Sequence, residues 1–331
     1  MAIHLGSKGL MQGWERRIRR QLQTLIDRYK RCVHEFSAWP QSRSVPRSTV
    51  EQLSASLAAL CAQRSDKDSE SDSDVPIFLL ATGWRSGSTL LQRILITEPH
   101  LLLWGEPLGE MTIFSRLGEM LTGSISSRNM QLWRDQPDPN SLALARSWIA
   151  VLYPPRDALR TGLRCFFDRW LRSPALEHGF GRWGLKEVRF GAMEAVLLHW
   201  LYPRAKFIIL SRHPYDCYRS LTDAHWDQVY YRYPDFPINS AASFAKHWNR
   251  LAVGWSCLPV GFPSVHIRYE DLIHHKVDFR WLESWLGIRV HEEVALSEFV
   301  GHTSARKRLT WYERMIIKSE ALDGMRTMGY V

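Results

Sequence analysis

Residues 75–95 read VPIFLLATGWRSGSTLLQRIL, and the succession of patterns within them decides the fold class. The run 75–81 is short and apolar, as a strand buried on both faces requires. A Gly/Ser turn follows, and then Leu90, Leu91, Ile94 and Leu95 recur at helical spacing. Strand, turn and helix return at 206–210 and again at 265–267, the latter followed by Tyr269-Glu270-Asp271-Leu272. Such alternation predicts an α/β domain, a P-loop-type three-layer sandwich with a central parallel sheet and helices on both faces. In sheets of this kind ligands bind beyond the carboxyl ends of the strands.

The turn is Thr82-Gly83-Trp84-Arg85-Ser86-Gly87-Ser88-Thr89. Its glycines let the backbone curl so that N–H groups point inward, and the following helix adds the positive end of its dipole. Arg85, Ser86, Gly87, Ser88 and Thr89 therefore form a candidate anion cradle, with two hydroxyls as further donors. The nucleotide loop GxxxxGK[ST] has a Lys after its last glycine, whereas here Ser88 follows Gly87 and the cation is Arg85. ATP and GTP enzymes use that Lys and a magnesium ion against a highly charged phosphate. A sulfuryl group carries less charge, so a protein cation without metal can suffice.

The RSGST core with Leu90-Leu91 resembles the 5′-phosphosulfate loop of the sulfotransferase superfamily that uses 3′-phosphoadenosine 5′-phosphosulfate (PAPS). It is closer in form to the carbohydrate and tyrosylprotein branch and its bacterial relatives than to the cytosolic small-phenol branch. Arg212, at the end of the 206–210 strand, and Ser220, about two helical turns further on, are similar to that family's 3′-phosphate motif. Pro214 suits the first turn of the helix between them. The basic cluster Arg306, Lys307 and Arg308 matches a late segment that closes over the 3′-phosphate in the family, or is a solvated turn. The resemblance covers about 75–330 and implies PAPS as donor, adenosine 3′,5′-bisphosphate as product and no metal.

Sulfuryl transfer needs a base for the acceptor proton and a cation for the leaving phosphate. Glu106, in Trp104-Gly105-Glu106-Pro107 after a short strand at 101–103, is the candidate base, with Pro107 placed to start a helix. The related branch carries a Glu at a matching position; the alternative is a helix-capping carboxylate. Glu110 is the reserve, or an acceptor contact. Lys186, ending the strand-like Trp183-Gly184-Leu185-Lys186, matches a family Lys that contacts the transferring group; otherwise it pairs with Glu187 or Glu106. The small-phenol branch uses His, and no histidine lies between His100 and His178. Trp226, Tyr230 and Tyr231 lead an aromatic cluster after the second anion motif, suited to a ring-bearing acceptor or to core packing. The acceptor is expected to be a carbohydrate or small natural product, with peptide tyrosine as the alternative. A P-loop kinase or NTPase would need the missing Lys. A non-catalytic anion-binding scaffold would leave Arg85, Glu106, Lys186, Arg212 and Ser220 as coincidence.

The 331 residues hold a large α/β domain plus an extension, and 45% hydrophobic with 23% charged residues is ordinary for a globular protein. A charge of +9 suits an anionic ligand without choosing one, and no nucleic-acid module is recognisable. Cys32, Cys61, Cys165, Cys217 and Cys257 show no metal spacing and no disulfide framework. Residues 1–64 read as a helical extension. Its first helix carries Arg16, Arg17, Arg19 and Arg20, and either docks on the catalytic domain or touches a membrane surface. Residues 65–74 (SDKDSESDSD) read as an acidic flexible linker, and 75–331 as the catalytic domain. With no secretion signal or membrane-length apolar run, the expected location is cytoplasmic.

Overall fold

A computed structural model describes residues 74–108, 114, 117, 142–146, 156–223, 238, 240–291, 293 and 308–331. The expected extension at 1–64, the linker up to residue 73, Glu110, the aromatic cluster of Trp226, Tyr230 and Tyr231, and Arg306 and Lys307 lie outside them.

The apolar run becomes β1 (Ile77–Ala81), every residue of which is buried. The Gly/Ser turn leads into α1 (Ser88–Leu95), which buries Leu90, Leu91, Ile94 and Leu95, and then into β2 (Leu101–Trp104). Next come α2 (Arg156–Phe167), a π-helical turn at Asp168–Arg172 and α3 (Ser173–Glu177). β3 (Arg182–Glu187), α4 (Ala192–Leu201), β4 (Lys206–Ser211) and α5 (Pro214–Asp223) continue the alternation. The chain then forms α6 (Ala241–Trp255), β5 (Ser264–Arg268), α7 (Tyr269–Ile273) and α8 (Phe279–Leu286). Last come α9 (Trp311–Glu320) and α10 (Leu322–Thr327).

Among the described residues the strands form one sheet in the order β2-β3-β1-β4-β5, all parallel. From β1 the chain moves past β3 to the edge, and every later crossover moves the opposite way. Right-handed crossovers therefore put α1 on one face and the helices α2 to α6 on the other. The reversal opens a crevice at the carboxyl ends of β1 and its neighbours, where ligands of such sheets bind.

The core is aromatic at the centre of the sheet. Phe78 of β1 meets Trp183 and Tyr202 edge-on at 5.9 and 6.0 Å. Gly184 lets β3 lie close: a Cβ there would sit 1.9 Å from the Ile77 carbonyl oxygen. Trp183 Nε1 donates to Asp74 at 3.1 Å, and Arg172 pairs with the same carboxylate at 3.3 Å. The last residue of the acidic segment is thus anchored at the amino end of the sheet. Burial raises its carboxyl, which the Trp183 hydrogen bond and the arginines offset. Where a helix is expected to start at Pro107, residues 106–108 form a bend and turn, and Phe114 and Leu117 further on are helical. Gly105 O instead accepts from Lys186 N at 3.2 Å, extending the β2–β3 pairing toward the site.

Candidate active site

The loop between β1 and α1, the candidate anion cradle, is tightly curled. Gly83, Arg85 and Gly87 all adopt positive φ, at 111°, 62° and 88°. Arg85 in that conformation is uncommon for a residue with a Cβ. Its carbonyl accepts from Arg212 Nη1 at 3.0 Å, while its own Nε donates to Ser220 Oγ at 3.0 Å. Both residues of the expected second anion motif therefore meet the first loop through Arg85. Gly87 caps α1 with no side-chain partner, leaving the helix N-terminus open to a ligand. A Cβ on Gly87 would lie 2.1 Å from Tyr269 Cδ2, so the loop rests directly on that ring. The Arg212 guanidinium stacks on the same ring at 4.3 Å. Neither the stacking ring nor its position at the start of α7 was visible in the sequence, beyond its place after a strand.

Ser86 and Thr82 are wholly buried in the loop, and their hydroxyl oxygens have no hydrogen-bond partner. Arg212 Nε is likewise buried without one. Buried polar groups in that condition are unusual, and a bound anion is one way to satisfy them. Ser88 is buried and Thr89 exposed at the first turn of α1.

The base candidate sits on the same rim. Glu106 pairs through Oε1 with Lys186 Nζ and through Oε2 with Arg189 Nη1 at 3.0 Å. The Lys186 side chain is only 8% exposed and that of Glu106 27%, so the carboxylate is the member of the pair that solvent reaches. Gln92 of α1 donates to Leu103 O and Trp104 O at 2.9 and 3.3 Å, fixing the end of β2 that carries Glu106. Sequence reasoning missed Arg189. Its signal was a basic residue just past the Lys186-Glu187 strand end, which local pattern alone does not assign to a partner. Arg189 also lies over the Trp84 ring at 5.8 Å, and Trp84 stacks on His247 of α6 at 4.9 Å. Burial lowers the His247 pKa to about 3, assisted by Arg250 and Arg189.

Glu187 points the other way from solvent. It is fully buried, and Arg189 Nη1 approaches at 3.8 Å. Burial raises its carboxyl to about 8, with Arg189 opposing and Glu106 adding to the rise.

Behind Arg212 the chain end returns. Tyr330 OH donates to Glu270 Oε2 at 3.0 Å and lies 3.0 Å from Ser211 Oγ, while Glu270 Oε1 accepts from His213 N at 2.9 Å. This network fixes the backbone on either side of Arg212. Arg308, the described member of the basic cluster, is exposed just before α9. Cys217 and Cys257 are buried and Cys165 exposed, all as free thiols. Among the described residues no cluster of His, Cys, Asp and Glu is arranged to hold a metal, and no helix is long and apolar enough to cross a membrane.

A five-stranded parallel sheet packed with helices defines an α/β protein. The chain belongs to the Sulfotransferase family, whose model matches residues 76–292. Solved structures similar to it include the sulfotransferase domain of the Synechococcus PCC 7002 olefin synthase, at 19% identity and TM-score 0.40, covering 81% of this chain and 98% of that one. A sulfotransferase from Alicyclobacillus acidocaldarius is similar at 16% identity and TM-score 0.42, covering 77% and 94%. The sulfotransferase domain of the curacin biosynthetic pathway is similar at 19% identity and TM-score 0.42, covering 70% and 79%. No curated protein matches the chain.

Proposed function

We propose that this protein transfers the sulfuryl group of PAPS to a hydroxyl or amine of a carbohydrate or small-molecule acceptor. The observation that carries the reading is the contact between the two anion motifs: Arg212 Nη1 on the Arg85 carbonyl oxygen. Two phosphate-holding groups on one rim suit a donor with phosphates on both its 5′ and 3′ sides. The buried, unpartnered Ser86 and Thr82 hydroxyls and Arg212 Nε fit an anionic ligand.

In this reading Arg85, Ser86, Gly87, Ser88 and Thr89 hold the 5′-phosphosulfate, and Arg212 and Ser220 the 3′-phosphate. Arg308 remains a candidate for the latter, with Arg306 and Lys307 beside it in the sequence. The donor supplies an activated sulfuryl group on a good leaving phosphate. Glu106 takes the acceptor proton on a carboxylate oxygen. Lys186 and Arg189 orient that carboxylate, and Lys186 places positive charge where negative charge develops on the leaving side. Catalysis is then mainly positioning and charge stabilisation.

The test is calorimetric binding of adenosine 3′,5′-bisphosphate without magnesium, with ADP as control and Arg212→Ala alongside. The reading expects the bisphosphate to bind far better than ADP and Arg212→Ala to lose that preference. Equal binding of ADP, or a magnesium requirement, would overturn it and favour a kinase-like activity.

A further inference from the structure

Arg212 is bracketed by one chain of hydrogen bonds. On its amino side, Ser211 Oγ lies 3.0 Å from Tyr330 OH. On its carboxyl side, His213 N donates to Glu270 Oε1 at 2.9 Å. Tyr330 OH donates to Glu270 Oε2 at 3.0 Å and joins the two sides. The chain has one more member: His266 Nε2, on β5, lies 2.7 Å from Ser211 Oγ. Resting on the reading of Arg212 as the 3′-phosphate residue, we propose that His266 is a positioning residue for Arg212, acting by donating its Nε2 proton to Ser211.

Counting protons gives the chain its direction. Each hydroxyl has one proton to give. Burial pushes the Tyr330 hydroxyl up, so it keeps its proton, and that proton is committed to Glu270. The Ser211 proton must then serve the Tyr330 oxygen. The last contact is bonding only if His266 supplies a proton from Nε2. With a bare Nε2, Ser211 would have one proton for two acceptors. Ser211 is wholly buried, where an unmade hydrogen bond is costly. Strand pairing places the ring for this role: His266 lies opposite Ile209, and Ile209 and Ser211 share one face of β4. The chain therefore runs from His266 through Ser211 and Tyr330 to Glu270, whose other oxygen holds His213 N. Loosening it frees the backbone on both sides of Arg212. The guanidinium that stacks on Tyr269 and reaches the Arg85 carbonyl then loses its fixed base. No covalent bond is made or broken at His266.

The experiment has two readouts on the full chain. The first is the tautomer of His266, read by long-range proton–nitrogen NMR correlation at about pH 8.5, where a histidine ring is neutral. His266→Gln assigns the resonance. A proton on Nε2 is expected, and a proton on Nδ1 with Nε2 bare overturns the proposal. The second is the ratio of calorimetric affinities for adenosine 3′,5′-bisphosphate and for AMP, which lacks the 3′-phosphate. His266→Phe keeps a ring and removes the donor. It should weaken the bisphosphate about three- to tenfold and leave AMP nearly unchanged. His266→Gln, whose amide can donate in place of the ring, should recover most of the ratio. An unchanged ratio in His266→Phe, an equal loss for both nucleotides, or no recovery in His266→Gln overturns the proposal. If His266→Phe does not fold, Tyr330→Phe breaks the same chain one link further on and must show the same selective loss. Arg212→Ala separates the two readings. If it keeps the preference for the bisphosphate, the reading of Arg212 fails. If it loses that preference while His266→Phe keeps it, the proposal for His266 fails alone.

Discussion

Arg85 Nε donates to Ser220 Oγ at 3.0 Å, tying the loop after β1 to the helix after β4. The arginine proposed to hold the donor's 5′ side is thereby aimed by the residue proposed for its 3′ side. Ser220→Ala leaves Arg85 held only through its carbonyl, by Arg212. A lost hydrogen bond of this kind corresponds to about a three- to tenfold weaker affinity. Calorimetry with adenosine 3′,5′-bisphosphate should show that loss, with the thermal midpoint moved by no more than a few degrees.

Gly87 combines a positive φ of 88° with a position where a Cβ would lie 2.1 Å from the Tyr269 ring. Gly87→Ala should therefore cost about 2–4 kcal/mol, from backbone strain and overpacking together. In a double-mutant cycle with Tyr269→Ala, urea unfolding should give losses smaller than the sum, because removing the ring relieves the steric share. The share due to φ should persist.

Glu106→Gln keeps the shape of the side chain and removes the carboxylate proposed as proton acceptor. Turnover of labelled PAPS with an acceptor should fall by about 10²–10⁴. Affinity for adenosine 3′,5′-bisphosphate should hardly change, since the carboxylate faces Lys186 and Arg189 rather than the anion loops. A variant that loses nucleotide binding as well would place Glu106 in the cradle.

Two buried groups give the stability curve opposite slopes. Burial raises Glu187 from 4.5 to about 8, so its contribution is complete below its unfolded value and is lost as pH rises through 8. Burial lowers His247 from 6.5 to about 3, so its contribution is present above 6.5 and is lost as pH falls toward 3. Urea unfolding across pH should therefore peak in the mildly acidic range. Glu187→Gln should flatten the alkaline side, and His247→Phe, which keeps a ring on Trp84, the acid side. Each effect should be on the order of a few kcal/mol.

The loop, the strand-end arginine and the three strand–helix units were legible because each is a local pattern. The apolar run of β1, the glycines at 83 and 87, and Arg212 at the end of β4 need no knowledge of distant residues. Glu106 was legible as a carboxylate at a strand end. Its partners were not, since Lys186 and Glu106 are 80 positions apart and meet only because β2 pairs with β3. At Pro107 itself the chain is still a turn. Gly105 is drawn into the β3 ladder through its carbonyl, a contact that no local pattern reports.

The sequence by itself determined the α/β class, the curled loop after β1 and the types of residue available for chemistry, because periodicity and glycine placement act over a few residues. Only the tertiary structure decided the sheet order β2-β3-β1-β4-β5, which brings Glu106, Lys186 and Arg189 to one rim. It also decided that Tyr269 supports Gly87 and that Tyr330 returns to brace Glu270 and Ser211 beside Arg212. These contacts join segments separated by long stretches of chain, and burial then gives Glu187 and His247 their unusual proton affinities. Desolvation is a property of the packed interior, and no local pattern of residues carries it.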